Sequence, residues 1–172
     1  MRIEPRLTGE LHGKMIARYS ACTRIGWEKV LGVKPRNIRC VLGMVASDKH
    51  SKGIRTLARI FRDHGLEVIY LGEHNTARQL AEVAVSEDVD FVGVSFSTGD
   101  YVARAGEVVE ALVGLGADDI GVLVGGLIHP EDVPTLEGLG VAGVFGPDST
   151  RASILEFIDR TFAPAVSNKP GA

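Results

Sequence analysis

The 172-residue chain has only two cysteines, Cys22 and Cys40, too few and too widely spaced for a disulfide framework or a structural zinc site. No apolar run approaches the ~18 residues of a membrane span, and no leader with an apolar core opens the chain. The expected setting is therefore the reducing cytoplasm, with no membrane anchor. Two nucleotide signatures are also missing. There is no G-x-G-x-x-G after the first strand candidate and no G-x-x-x-x-G-K-[ST], so neither dinucleotide nor P-loop chemistry is supported. Basic residues never form a block of five or more. That argues against a nucleic-acid partner.

What is present is a composition of 45% hydrophobic and 24% charged residues, typical of a globular chain. Its length suits one α/β domain with a modest appendage. The 21 glycines sit between hydrophobic runs and read as turns. The net charge of −3 conceals an asymmetry. Residues 1–40 carry nine Lys/Arg against three Asp/Glu, a net +6, and the remainder carries −9. A solvated helix face is the simplest account of the basic arm, and docking onto a partner protein is the next.

From about Ile38 onward, short β-rich runs alternate with amphipathic stretches. Strands are expected at 38–45, 66–71, 90–96, 120–125 and 141–146. Helices are expected at 52–64, 76–87, 101–115, 131–139 and 149–162. The nearly all-apolar strands predict a parallel sheet covered by helices on both faces. Thr76 and the Asp148-Ser149-Thr150 run suit N-caps, and Gly65 and Gly116 suit helix ends. Five βα units predict a flavodoxin-like (Rossmann-like) doubly wound five-stranded sheet, since a barrel needs eight. Residues 1–36 read as a basic helical extension. Ile16, Tyr19, Thr23, Trp27 and Val30 share one helical stripe there, to be buried against a sheet edge or another chain. The domain proper is expected over 37–163, with a disordered tail over 164–172.

Ligands of such sheets bind beyond the carboxyl ends of the strands, where strand order reverses. For the order 2-1-3-4-5, that point lies between the first and third strands. Three loops are therefore implicated. The first holds Asp48, His50 and Gly53 in the spacing D-x-H-x-x-G. His50 could present a ring nitrogen to a metal or carry a proton, with Asp48 bonding the other nitrogen; an ordinary loop histidine with a capping aspartate is the alternative. The second holds Ser95 and Ser97, whose hydroxyls could bond a buried ligand or cap the next helix. The third holds Gly125-Gly126, which could let a ligand lie flat against backbone or make an ordinary turn. His129 lies in the same loop; His12, His64 and His74 read as surface residues.

Together, D-x-H-x-x-G after strand one, Ser95 after strand three and Gly125-Gly126 after strand four resemble the cobalamin-binding domain of coenzyme B12-dependent mutases. The flanking phrases VDFVGVSFSTG, LVGGLIHPEDV and GVAGVFGP are most similar to the cobalamin domain or small subunit of acyl-CoA mutases of the methylmalonyl-CoA type. The resemblance implies that His50 is the lower axial ligand of cobalt, hydrogen-bonded by Asp48. It implies that Gly53, Ser95, Ser97, Gly125 and Gly126 surround the displaced nucleotide tail of adenosylcobalamin. It also implies a mutase (an isomerase) inactive without a large subunit that holds the acyl-CoA, so a hetero-oligomer. The other expectations within this family are a corrinoid protein of a methyltransferase system or a non-catalytic cobalamin carrier or sensor. Three positions depart from the mutase pattern: Ser97 where Leu is frequent, Met44 where a Lys often extends the relay, and Lys49 where Gly is frequent.

Overall fold

The computed structural model describes residues 37–45, 51–97 and 99–162. The basic extension with its Trp27 stripe, the span 46–50 with Asp48 and His50, and the tail expected at 164–172 lie outside the described residues.

The strands are β1 (Arg39–Val45), β2 (Glu67–Asn75), β3 (Phe91–Phe96), β4 (Gly121–Gly126) and β5 (Gly143–Phe145). The helices are α1 (Lys52–His64), α2 (Ala77–Ser86), α3 (Tyr101–Gly114), α4 (Val133–Gly138) and α5 (Arg151–Phe162), with a 3-10 turn at Pro130–Asp132 before α4. The strands form one parallel sheet in the order β2-β1-β3-β4-β5, the flavodoxin-like order expected from the sequence. The order reverses between β1 and β3, which places the crevice there.

The period-two pleat divides the apolar residues between two cores. Cys40, Leu42 and Met44 of β1 join Phe91 and Leu123 under α1 and α5. Val41 and Val45 join Val92, Val94, Val122 and Val124 under α2, α3 and α4. The helices meet these faces with apolar residues at three- and four-residue spacing: Ile54, Ala58 and Phe61 in α1, and Tyr101, Ala105, Val108 and Leu112 in α3. Local chemistry fixes where helices start and stop. Thr76 and Gln79 form a reciprocal capping box at α2. Thr150 caps α5 by accepting from the Ser153 N–H at 3.1 Å. Gly65, at φ +96, closes α1 with bonds back to Arg62 and Phe61.

Three elements differ from the sequence expectation. β2 runs on to Asn75, through a polar stretch, because its pairing with β1 continues across two register shifts. β5 is confined to Gly143–Phe145. The expected 131–139 helix begins as a 3-10 turn at Pro130 and becomes α4 at Val133, with Pro134 in its first turn, where no N–H is needed.

Candidate functional site

The sheet face under α1 and α5 carries glycine at four inward positions: Gly93, Gly121, Gly125 and Gly143. At the amino end the vacant space is filled from α5. A Cβ at Gly121 would stand 2.7 Å from the Phe162 ring, and one at Gly143 would stand 2.7 Å from the Phe157 ring. Leu42 leans across Gly93 in the same way, with its Cδ2 2.5 Å from where a Cβ would be. At the carboxyl end, among the described residues, no α5 ring fills the space beside Gly125, and a cavity of about 380 Å³ opens.

Leu42, Phe91, Gly93 and Leu123 line this cavity from the sheet. Gly53, Ile54 and Leu57 line it from α1, and Phe145, Ser149 and Ile154 from β5 and the start of α5. Ser95, Ser97, Gly125, Gly126 and Leu127 line it at the carboxyl ends of β3 and β4. Among the described residues none of those lining the cavity is ionisable, and the hydroxyls of Ser95, Ser97 and Ser149 are their polar side-chain groups. Such a wall favours an uncharged, largely apolar guest, since a charge buried against these described residues would lack an ionic partner among them.

The glycines of the site differ in what they do. Gly126 has φ +121, and a Cβ there would collide with the Phe96 carbonyl, so the backbone itself requires glycine. Gly125 is not in the left-handed region, and its nearest neighbour to an added Cβ would be the Phe145 carbonyl at 3.6 Å, an ordinary contact. The protein could therefore hold alanine at 125, and glycine there keeps the cavity wide. Gly53 is similar. It sits in the first turn of α1, where a Cβ would meet nothing within 4 Å among the described residues. Glycine in a helix costs roughly 0.5–1 kcal/mol relative to alanine, and no packing contact among the described residues offsets that here.

Two polar connections shape the loops around the cavity. At the end of β1, Asn75 Nδ2 donates to the Met44 carbonyl at 3.1 Å and to the Gly72 carbonyl at 3.0 Å. These bonds hold the bulge where β1 and β2 change register and where Gly72 and His74 take φ of 71° and 63°. Val45 alone separates Met44 from the 46–50 span. Across β3 and β4, the Tyr101 hydroxyl donates to Asp132 Oδ2 at 2.5 Å and accepts from the His129 N–H at 3.1 Å. Donation to the carboxylate raises the Tyr101 pKa above its ordinary 10.0, outweighing the opposite effect of the His129 N–H.

Of the residues singled out from sequence, the fold thus brings Gly53, Ser95, Ser97, Gly125 and Gly126 to one cavity. Asp48 and His50 lie outside the described residues. His129 contributes its backbone to the Tyr101 bond and is not a lining residue. His64 pairs with Asp159 at 2.9 Å, joining α1 to α5. Met44, at one of the departures from the mutase pattern, is fully buried in the core under α1. Sequence reading missed Asn75, Tyr101, Leu127 and Phe145 as site-forming residues. It also took Ser149 only as a capping candidate.

A family model for the B12 binding domain matches residues 38–156. The chain belongs to the B12-binding domain family. The match spans all five strands and ends inside α5, so the cavity lies wholly within the B12-binding domain. Two relatives share about a third of their residues with it. The 2-hydroxyisobutanoyl-CoA mutase small subunit of Aquincola tertiaricarbonis is 36% identical over 121 residues, covering 70% of this chain and 89% of that protein. The pivalyl-CoA mutase small subunit of Xanthobacter autotrophicus is 34% identical over 123 residues, covering 72% and 82%. Among solved structures, a cobalamin-binding protein from Desulfitobacterium hafniense superposes with a TM-score of 0.63 at 22% identity, over 72% of this chain and 58% of that one. That likeness is one of fold. No helix among the described residues of the B12-binding domain is long and apolar enough to cross a membrane.

Proposed function

We propose that the chain is the cobalamin-binding small subunit of an adenosylcobalamin-dependent acyl-CoA mutase, working in the cytoplasm with a separate large subunit that holds the acyl-CoA. The observation that carries the reading is the space kept open beside Gly125 by a glycine that neither backbone conformation nor protein packing requires. The cavity it widens extends to Leu42 of β1 and Gly93 of β3, the two strands between which the sheet order reverses, and to Gly53 of the helix that the D-x-H-x-x-G loop enters. Membership of the B12-binding family and the small-subunit relatives support the same conclusion.

The described cavity lining, apolar with glycine at 125 and three serine hydroxyls, suits the flat base of the cofactor's nucleotide tail. Bound adenosylcobalamin supplies the carbon radical needed for a 1,2-rearrangement, and the protein's part is binding, orientation and tuning. His50 would hold the cobalt through a neutral ring nitrogen. Asp48 would accept from the other ring nitrogen, which would fix the tautomer and make the imidazole a stronger ligand. Gly53, Gly125 and Gly126 admit the flat base of the nucleotide tail into the apolar cavity. Ser95 and Ser97 offer hydroxyls to its polar edge. The basic 1–36 extension is the contact for the large subunit.

The test is reconstitution. The full chain mixed with adenosylcobalamin alone should bind it in a histidine-ligated form visible in the absorption spectrum. Adding the large subunit of an acyl-CoA mutase should then restore isomerisation. Failure to bind the cofactor refutes the cobalamin reading, and binding without isomerisation alongside any large subunit makes the chain a carrier instead. Retention by the large subunit after deletion of residues 1–36 would refute the docking role of the extension.

A further inference from the structure

The bond between Tyr101 and Asp132 joins residues 31 positions apart and has no part in the assignments above. Tyr101 opens α3 and is buried, with its ring 6.5 Å from that of Phe96 between centroids. A buried phenol needs one partner to be satisfied, and this one has two, both from the segment that follows β4. That segment is also fixed at its start, where the Leu127 N–H donates to the Phe96 carbonyl at 3.0 Å. Ile128 is buried in the core under α3. Leu127, between these anchors, is 60% exposed and lines the cavity.

One exposed leucine is ordinary on a protein surface. Leu127 differs because its backbone is held at both ends while its side chain stands at the edge of an apolar cavity. The Phe96 carbonyl and the Tyr101 hydroxyl leave the Gly126–His129 turn little freedom, and glycine at 126 makes that turn possible. A mouth held in place before the guest arrives loses less conformational entropy on binding.

We propose that Tyr101 is a positioning residue for the cofactor: by tying His129 and Asp132 to the start of α3, it holds Leu127 as an apolar lip against bound cobalamin. The proposal rests on the cobalamin reading. It goes beyond that reading by giving a role to residues outside the D-x-H-x-x-G loop and its neighbouring serines and glycines.

The decisive variants are Tyr101→Phe, which keeps the ring and its packing, and Asp132→Asn, which keeps an acceptor oxygen. In the full chain loaded with hydroxocobalamin, Tyr101→Phe should speed cofactor release about tenfold, the scale of one hydrogen bond to a charged group. Asp132→Asn should stay within about threefold of wild type, because the phenol still has an acceptor. Leu127→Ala should speed release as Tyr101→Phe does. Combining the two should add little, since both act through the same lip. In the cofactor-free chain, Tyr101→Phe should speed amide hydrogen exchange at Leu127 and His129 and leave Leu80 unchanged. Unaltered exchange there would overturn the tether. Faster exchange with unaltered cofactor release, or full additivity with Leu127→Ala, would reduce Tyr101 to a structural role. A wild-type chain that binds no hydroxocobalamin would refute the cobalamin reading and take the lip with it.

Discussion

Ser95 and Gly125 are register partners on β3 and β4, and both face the cavity at the carboxyl end of the sheet. One residue further along, Phe96 pairs with Gly126, and there the glycine is a backbone necessity. Two adjacent glycines therefore predict opposite phenotypes. Gly125→Val fills the cavity from its wall while leaving the fold intact. It should lower cobalamin affinity by tenfold or more, on the order of a blocked subsite, with a melting temperature within a few degrees of wild type. Gly126→Ala forces a Cβ onto the Phe96 carbonyl in left-handed backbone and should cost about 1–3 kcal/mol of stability. Parallel thermal melts and cofactor titrations separate the two effects.

Asn75 Nδ2 donates to two carbonyls, those of Met44 and Gly72, where the β1–β2 ladder is irregular. Asn75→Ala removes both donors at once and should destabilise the domain by about 1–3 kcal/mol in urea unfolding. Met44, one of the two acceptors, stands just before the 46–50 span. The same variant should therefore also reduce the histidine-ligated fraction of bound cobalamin. Asn75→Asp, which lacks the donors, should behave like the alanine variant and not like wild type.

The axial assignment predicts that His50→Ala retains the fold and loses the histidine-ligated spectrum of bound cobalamin. Under the same proposal, Asp48→Ala would keep the ligand and remove its orienting partner, so affinity should fall by roughly 10–100-fold with the ligation partly preserved. An unchanged spectrum in His50→Ala would overturn the assignment.

Cys40 is fully buried in β1, and burial pushes its thiol up from the ordinary 9.0 to about 12. In the unfolded chain the thiol ionises first as pH rises past 9. The unfolded state then holds fewer protons than the folded one, and stability declines between pH 9 and 12 by about 1.4 kcal/mol per pH unit. In a Cys22→Ser background, Cys40→Ala should remove that slope from the stability profile. It should also abolish a slow thiol modification at neutral pH whose rate follows unfolding.

The helices were the most legible part of the chain. The apolar spacing of Ile54, Ala58 and Phe61 gives α1 its buried stripe, and Gly65 gives it an end. The span expected from these signals, 52–64, is the observed one. The polar run Gly72-Glu73-His74-Asn75 gave no strand signal, because its pairing depends on a bulge that the Asn75 side chain holds together. The site was legible as a set of loops and not as a shape. Gly125 and Gly126 are the same residue in sequence. Their difference arises from the backbone and from what stands above each: at Gly126, in left-handed backbone, a Cβ would strike the Phe96 carbonyl, and at Gly125 it would meet the Phe145 carbonyl at an ordinary 3.6 Å.

Sequence alone determined the element order, the parallel five-stranded sheet and the loops where a ligand would sit. Those features follow from short-range periodicity, capping and crossover handedness, which are written along the chain. The tertiary structure decided which inward glycines are plugged by Phe157 and Phe162 and which leave a cavity. It also decided that Tyr101 would reach Asp132. Both outcomes depend on side chains arriving from distant helices and loops, and no local pattern encodes that meeting.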